Sequence, residues 1–269
     1  MATKVPLALL PGLLCDRGIW EPQIAALAGF AAIHLPDFSR LDTIESMALE
    51  VLAQVPGEFA AAGHSMGGRV ALEILRLAPE RVSGVALLST GYTPRAPGEE
   101  RRRQVLLDLA HSEGLDALVS HWIPPLLSDT NPRRDAVLRD FREIARRSSV
   151  TIFENHIRAL LARPDASAVL PQIRCSTLVV CGRQDVQSAL AAHEHMASVI
   201  HGSRLVAIDD CGHLSPLEAP EAVNSAMHSW LLEVEFRIRR GRNGLSAARA
   251  GQHGEGLRPV PGGGRSWRR

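Results

Sequence analysis

Short apolar runs alternate with stretches of helical periodicity through the first 90 residues of the chain. The runs near 5–10, 31–35, 59–63 and 82–88 are short and mainly apolar, the pattern of strands. Between them, segments such as Arg69 to Leu77 repeat apolar positions three and four residues apart, which predicts helices. This β-α-β rhythm predicts a mainly parallel sheet with helices on both faces. After Pro94 the rhythm changes: residues 98–163 keep a helical period, broken at Pro124-Pro125 and Pro132 and ended at Pro164, with no strand pattern. Strand runs resume at 176–181 and 204–208, with helices near 187–200 and 219–234. The expected architecture is one α/β domain over 1–236, with its core in 1–93 and 171–236 and an inserted helical cap at about 94–170.

The run at 59–63 meets the following helix at Gly63-His64-Ser65-Met66-Gly67-Gly68. A Gly-x-Ser-x-Gly turn between strand and helix forces its central residue into strained backbone geometry, and the flanking glycines remove side chains that would clash there. Ser65 is thus a candidate nucleophile on a sharp corner. A serine hydroxyl is too weak an acid to attack a carbonyl alone, so it needs a base and a carboxylate to orient that base. Candidates stand just beyond two later strands, Asp185 in Gly182-Arg183-Gln184-Asp185 and His213 in Asp209-Asp210-Cys211-Gly212-His213. Parallel sheets place ligand sites at the carboxyl ends of their strands. By itself Asp185 also suits a helix N-cap, and Asp209 and Asp210 compete for the acid's role.

The order Ser, Asp, His, the Pro11-Gly12-Leu13 loop, the turn at Ser65, and Gly212-His213 followed by Pro216-Leu217-Glu218-Ala219-Pro220-Glu221 together resemble α/β-hydrolase-fold serine hydrolases of the cofactor-free esterase and haloperoxidase-like type. The resemblance spans about residues 5–234 and implies that fold, expected here without its two leading strands. It implies Ser65 as nucleophile, His213 as general base and Asp185 as the acid that fixes the histidine tautomer. The oxyanion hole would be built from the backbone N–H groups of Met66 and Leu13. Pro11-Gly12 stands where many relatives have His-Gly, which leaves Leu14 as an alternative to Leu13. The implied reaction is hydrolysis of a small-molecule carboxylic ester through an acyl-enzyme, with no cofactor and no metal. Cleavage of carbon–carbon bonds in diketones, lactone opening and perhydrolysis use the same triad, and a non-catalytic binding protein of this fold is a further alternative. Dehalogenases and epoxide hydrolases of the fold need an aspartate where Ser65 stands.

Other polar residues read as structural. His64 should point away from Ser65, His193 and His195 should be solvated helix positions, and Arg101-Arg102-Arg103 should form a solvated helix face unless the substrate is anionic. Cys211 reads as a small buried side chain, and the four cysteines show neither disulfide nor zinc spacing.

Composition narrows the setting. The chain has 269 residues, 45% of them hydrophobic, and no apolar run approaches the roughly 20 residues that span a bilayer. With no signal-like start, a cytoplasmic protein without membrane attachment is expected. Net charge is +1, yet residues 237–269 hold nine arginines, eight glycines and one glutamate. A disordered tail is expected there, and with Trp267 as its only aromatic residue it gives little reason to expect nucleic-acid binding.

Overall fold

A computed structural model describes residues 4–252. Six strands, β1 (Val5–Leu10), β2 (Ala31–His34), β3 (Phe59–His64), β4 (Val82–Leu88), β5 (Ser176–Gly182) and β6 (Arg204–Ile208), form one sheet in the order β2-β1-β3-β4-β5-β6. Every pairing is parallel. β3 and β5 are buried along their whole length, which is why they read as unbroken apolar or small-residue runs. No strand precedes β1 among the described residues.

The chain runs outward from β1 to β2 and then returns to place β3 on the other side of β1. The loops leaving β1 and β3 therefore diverge at their carboxyl ends, the position at which doubly wound sheets open a crevice. Helix α1 (Glu21–Leu27) follows β1, and α2 (Ile44–Gln54) follows β2, capped by the Thr43 hydroxyl, which accepts from Ser46 N–H at 3.0 Å. Helix α3 (Met66–Leu77) starts immediately after Ser65 and packs on β1, β3 and β4.

Between β4 and β5 the chain forms the helical cap: α4 (Glu99–Trp122), bent at Gly114 (φ 83°), α5 (Arg134–Arg146) and α6 (Val150–Leu161). Helix α4 packs against both others, and Phe141 and Phe153 pack around Trp122. Helices α7 (Leu190–Val199), α8 (Ser215–Glu218) and α9 (Pro220–Gln252) complete the order.

Helix α9 runs well past the expected end near 234. Residues 237–252 continue it, whereas sequence composition suggested disorder from 237 onward. Alanine, leucine and arginine are good helix formers, and extending an existing helix avoids the cost of nucleating one. The rest of that expectation, 253–269, lies outside the described residues. The sheet, the cap and the site all belong to one compact unit that ends at Val234. No helix of the described residues is long and apolar enough to cross a membrane.

Candidate active site

Ser65 closes β3 with φ 53° and ψ −112°, a left-handed conformation that a residue with a side chain adopts only under constraint. Two close approaches supply that constraint. A Cβ on Gly63 would lie 2.2 Å from Gly67 O, and one on Gly67 would lie 2.1 Å from Leu10 O, so β1, β3 and α3 meet closely only through glycine. Ser65 N–H donates to Leu88 O of β4 at 2.9 Å, and its carbonyl accepts from the Thr90 hydroxyl at 2.6 Å.

The structure brings Ser65, His213 and Asp185 together although they lie far apart in the chain. His213 Nδ1 is 3.0 and 3.1 Å from the two oxygens of Asp185. A carboxylate only accepts, so Nδ1 carries the proton and Nε2 accepts from the Ser65 hydroxyl at 2.9 Å. Asp185 Oδ1 also accepts from the N–H groups of Gln187, at 2.9 Å, and Ser188, at 2.7 Å, so the carboxylate orders the start of its own turn while holding the histidine. Burial raises the Asp185 pKa, but the charge and hydrogen bond of His213 and the Ser188 amide outweigh it and hold the carboxyl below its ordinary value. The competing aspartates are occupied elsewhere: Asp209 pairs with Arg183 at 2.7 Å, and Asp210 accepts from the Thr130 hydroxyl.

The histidine loop is held from several sides. His213 N–H donates to Leu126 O of the cap at 2.8 Å. Its carbonyl accepts from His64 Nε2 at 2.9 Å, so the His64 ring reaches the backbone of the histidine loop. Burial, together with the charge of His213, pushes the His64 pKa down to about 3, and the ring stays neutral. Glu218 is buried beneath the loop and accepts three amides at 2.9 Å each: Gly212 and Leu214, on either side of His213, and Ser128 of the cap. Burial raises its pKa despite those bonds.

The loop after β1 presents two backbone donors. Leu14, at φ 59°, donates its N–H to His156 Nδ1 of α6 at 3.3 Å, whereas the Leu13 N–H has no partner among the described residues. Leu13, Ser65, Met66 and His213 all line one cavity of about 630 Å³ beneath the cap, with Trp122 and Phe141 among its apolar walls.

Some positions differ from expectation. His193 is fully buried rather than solvated; its Nε2 accepts from Thr90 N–H at 3.0 Å, which ties α7 to the segment after β4. Its neighbour His195 is exposed and stacks on Tyr92. Of the three arginines at 101–103, Arg102 and Arg103 line the cavity, and Arg103 binds Glu99 at 2.8 Å. Glu218, His156 and Thr90 carried no role in the sequence reading. Glu218 lies within Pro216-Leu217-Glu218-Ala219-Pro220-Glu221, but only the fold reveals the three amides it faces.

A model described as the Alpha/beta hydrolase family matches residues 7–226 of the chain. The pimeloyl-(acyl-carrier protein) methyl ester esterase of Nitrosomonas europaea is 25% identical over 246 residues, 80% of this chain and 91% of that protein. A 2-hydroxy-6-oxononadienedioate/2-hydroxy-6-oxononatrienedioate hydrolase of Escherichia coli is 29% identical over 181 residues, 63% of this chain and 60% of that protein. Among solved structures, a thermophilic esterase from Thermogutta terrifontis, with malate bound, superposes with a TM-score of 0.79 at 29% identity, covering 87% of this chain and 91% of that one.

Proposed function

This chain belongs to the alpha/beta hydrolase family, and from that premise we propose that it is a serine hydrolase cleaving small-molecule carboxylic esters through an acyl-enzyme. The observation that carries the reading is the unbroken line from Asp185 through both nitrogens of His213 to the Ser65 hydroxyl, every link at 2.9–3.1 Å. As Ser65 Oγ attacks the ester carbonyl, His213 Nε2 takes its proton, and Asp185 stabilises the imidazolium. The backbone N–H groups of Leu13 and Met66 receive the oxyanion, since Leu14 already serves His156. Collapse expels the alcohol, which recovers the proton from His213. Water, deprotonated by the same nitrogen, then attacks the acyl-enzyme and releases the acid. The esterases of Nitrosomonas and Thermogutta support ester over carbon–carbon cleavage as the leading reaction.

The test is labelling by a fluorophosphonate together with hydrolysis of p-nitrophenyl acyl esters, lactones and diketones. Wild type should be labelled and should turn over esters fastest. Ser65→Ala should lose the label and at least about 10³-fold in kcat. A wild-type protein that is neither labelled nor active on any ester would end this reading, as would a faster rate on diketones.

A further inference from the structure

One side of the cavity carries more positive charge than the triad requires. Arg69, Arg102, Arg103 and Arg163 all line it, against a single carboxylate, Glu99. Glu99 is already saturated. It takes Arg163 at 2.6 and 2.8 Å, Arg103 at 2.8 Å and the Ala96 N–H at 3.1 Å, and these contacts outweigh burial to hold its pKa down to about 2. Arg69 has no carboxylate partner among the described residues; its one hydrogen bond goes from Nη1 to Thr93 O at 2.8 Å. Arg163 Nε donates to the same carbonyl at 3.2 Å, so a guanidinium from α3 and one from the end of the cap converge on one anchor. Beneath Arg69 Nη2 lies Gly91, where a Cβ would stand only 2.7 Å away.

Placement turns this excess into a subsite. Arg69 lies one turn of α3 beyond Ser65, about 6 Å along the axis, and helical side chains lean toward the helix N-terminus, here toward the reacting hydroxyl. A guanidinium that is only anchored by one carbonyl keeps its remaining N–H donors for a second, planar acceptor. Burial and the nearby Arg163 push the Arg69 pKa down to about 9, so the group remains charged at neutral pH.

Resting on the ester-hydrolase reading, we infer that Arg69 receives a carboxylate carried by the substrate several bonds from its ester carbonyl. The preferred substrates are then acidic esters rather than plain acyl esters. The carboxylate belongs either to the acyl part or to the alcohol part, and two pairs matched in chain length separate these sources: monomethyl adipate against methyl hexanoate, and 4-acetoxybutanoate against butyl acetate.

For wild type, kcat/KM should favour the carboxylate member of at least one pair by about tenfold or more at low ionic strength, mainly through KM, and salt should shrink the preference. In Arg69→Gln the ratio should fall to about one, and Arg69→Lys, which keeps the charge without the fork, should retain part of it. Wild-type ratios at or below one in both pairs overturn the inference, and so does a ratio that survives in Arg69→Gln. Calorimetric titration with adipate runs in parallel. If no ester is turned over, the ester reading fails alone, and a loss of adipate affinity in Arg69→Gln upholds the subsite while an unchanged affinity removes it.

Discussion

The carboxyl edge of the sheet and the cap above it build one site by different means. At the edge, each member of the candidate triad sits on a short turn after a strand: Ser65 after β3, Asp185 after β5 and His213 after β6. Their positions follow from strand register and from glycines that permit backbone contact. The cap supplies no member of the triad. It reaches the same atoms through isolated polar links: Leu126 O to His213, Ser128 N–H to Glu218, and His156 to Leu14. In the proposed reading, reaction chemistry is therefore a property of the sheet edge, while the cap helps to hold that edge and forms part of the cavity wall.

Asp185→Asn is the hardest test of the first half of that contrast. Asparagine fills the same space and can still accept from Gln187 and Ser188, but its amide favours the wrong histidine tautomer. Turnover of p-nitrophenyl esters should drop by about 10³- to 10⁴-fold, with the unfolding midpoint moving far less. A loss under tenfold would mean that another group orients His213.

Glu218→Gln probes the junction between the two regions. Glutamine has one acceptor oxygen where the carboxylate has two, and its NH₂ would face an amide donor, so at least one of the N–H groups of Gly212, Leu214 and Ser128 is orphaned. That costs about 1–3 kcal/mol of stability, and displacement of His213 should lower kcat about tenfold while KM changes little. A variant with unchanged kcat and a lowered melting temperature would make Glu218 a purely structural support.

The same contrast explains what could be read in the sequence. The inner strands, mostly buried, appear as largely apolar runs, and the edge strands β2 and β6, only partly buried, still carry short apolar runs, so all six strands lie within a residue or so of their predicted spans. The turn at Ser65 was legible because its glycines answer a local backbone demand. Chain order then pointed to Asp185 and His213, the residues that the fold brings against it. Links between regions had no such signature. The spacing of His193 and His195 shows that they face different ways, but the burial of His193 depends on Thr90, 103 residues distant. His156 meets Leu14 across 142 residues, a contact that engages the Leu14 N–H and supports Leu13 over Leu14 in the proposed oxyanion hole.

The His156 link offers the finest test, because it is sensitive to pH. Its Nδ1 accepts from Leu14, and Nε2 donates to Phe38 O at 3.2 Å, so the buried ring is neutral. Burial, partly offset by the Phe38 carbonyl and Asp37, pushes its pKa down to about 4. The unfolded chain, with histidine near 6.5, therefore binds the proton first; stability is complete above pH 6.5 and is lost as pH falls toward 4. His64, depressed to about 3, acts in the same direction. Between pH 7.5 and 5, His156 should account for about 2 kcal/mol of lost stability, read from urea unfolding. His156→Gln should remove that share of the pH dependence and lower kcat at pH 7.5 by only about two- to threefold, because the Leu13 donor shifts slightly as its neighbour loses an anchor. Equal losses in wild type and variant would show that the cap holds the loop after β1 by packing, with no titrating link between them.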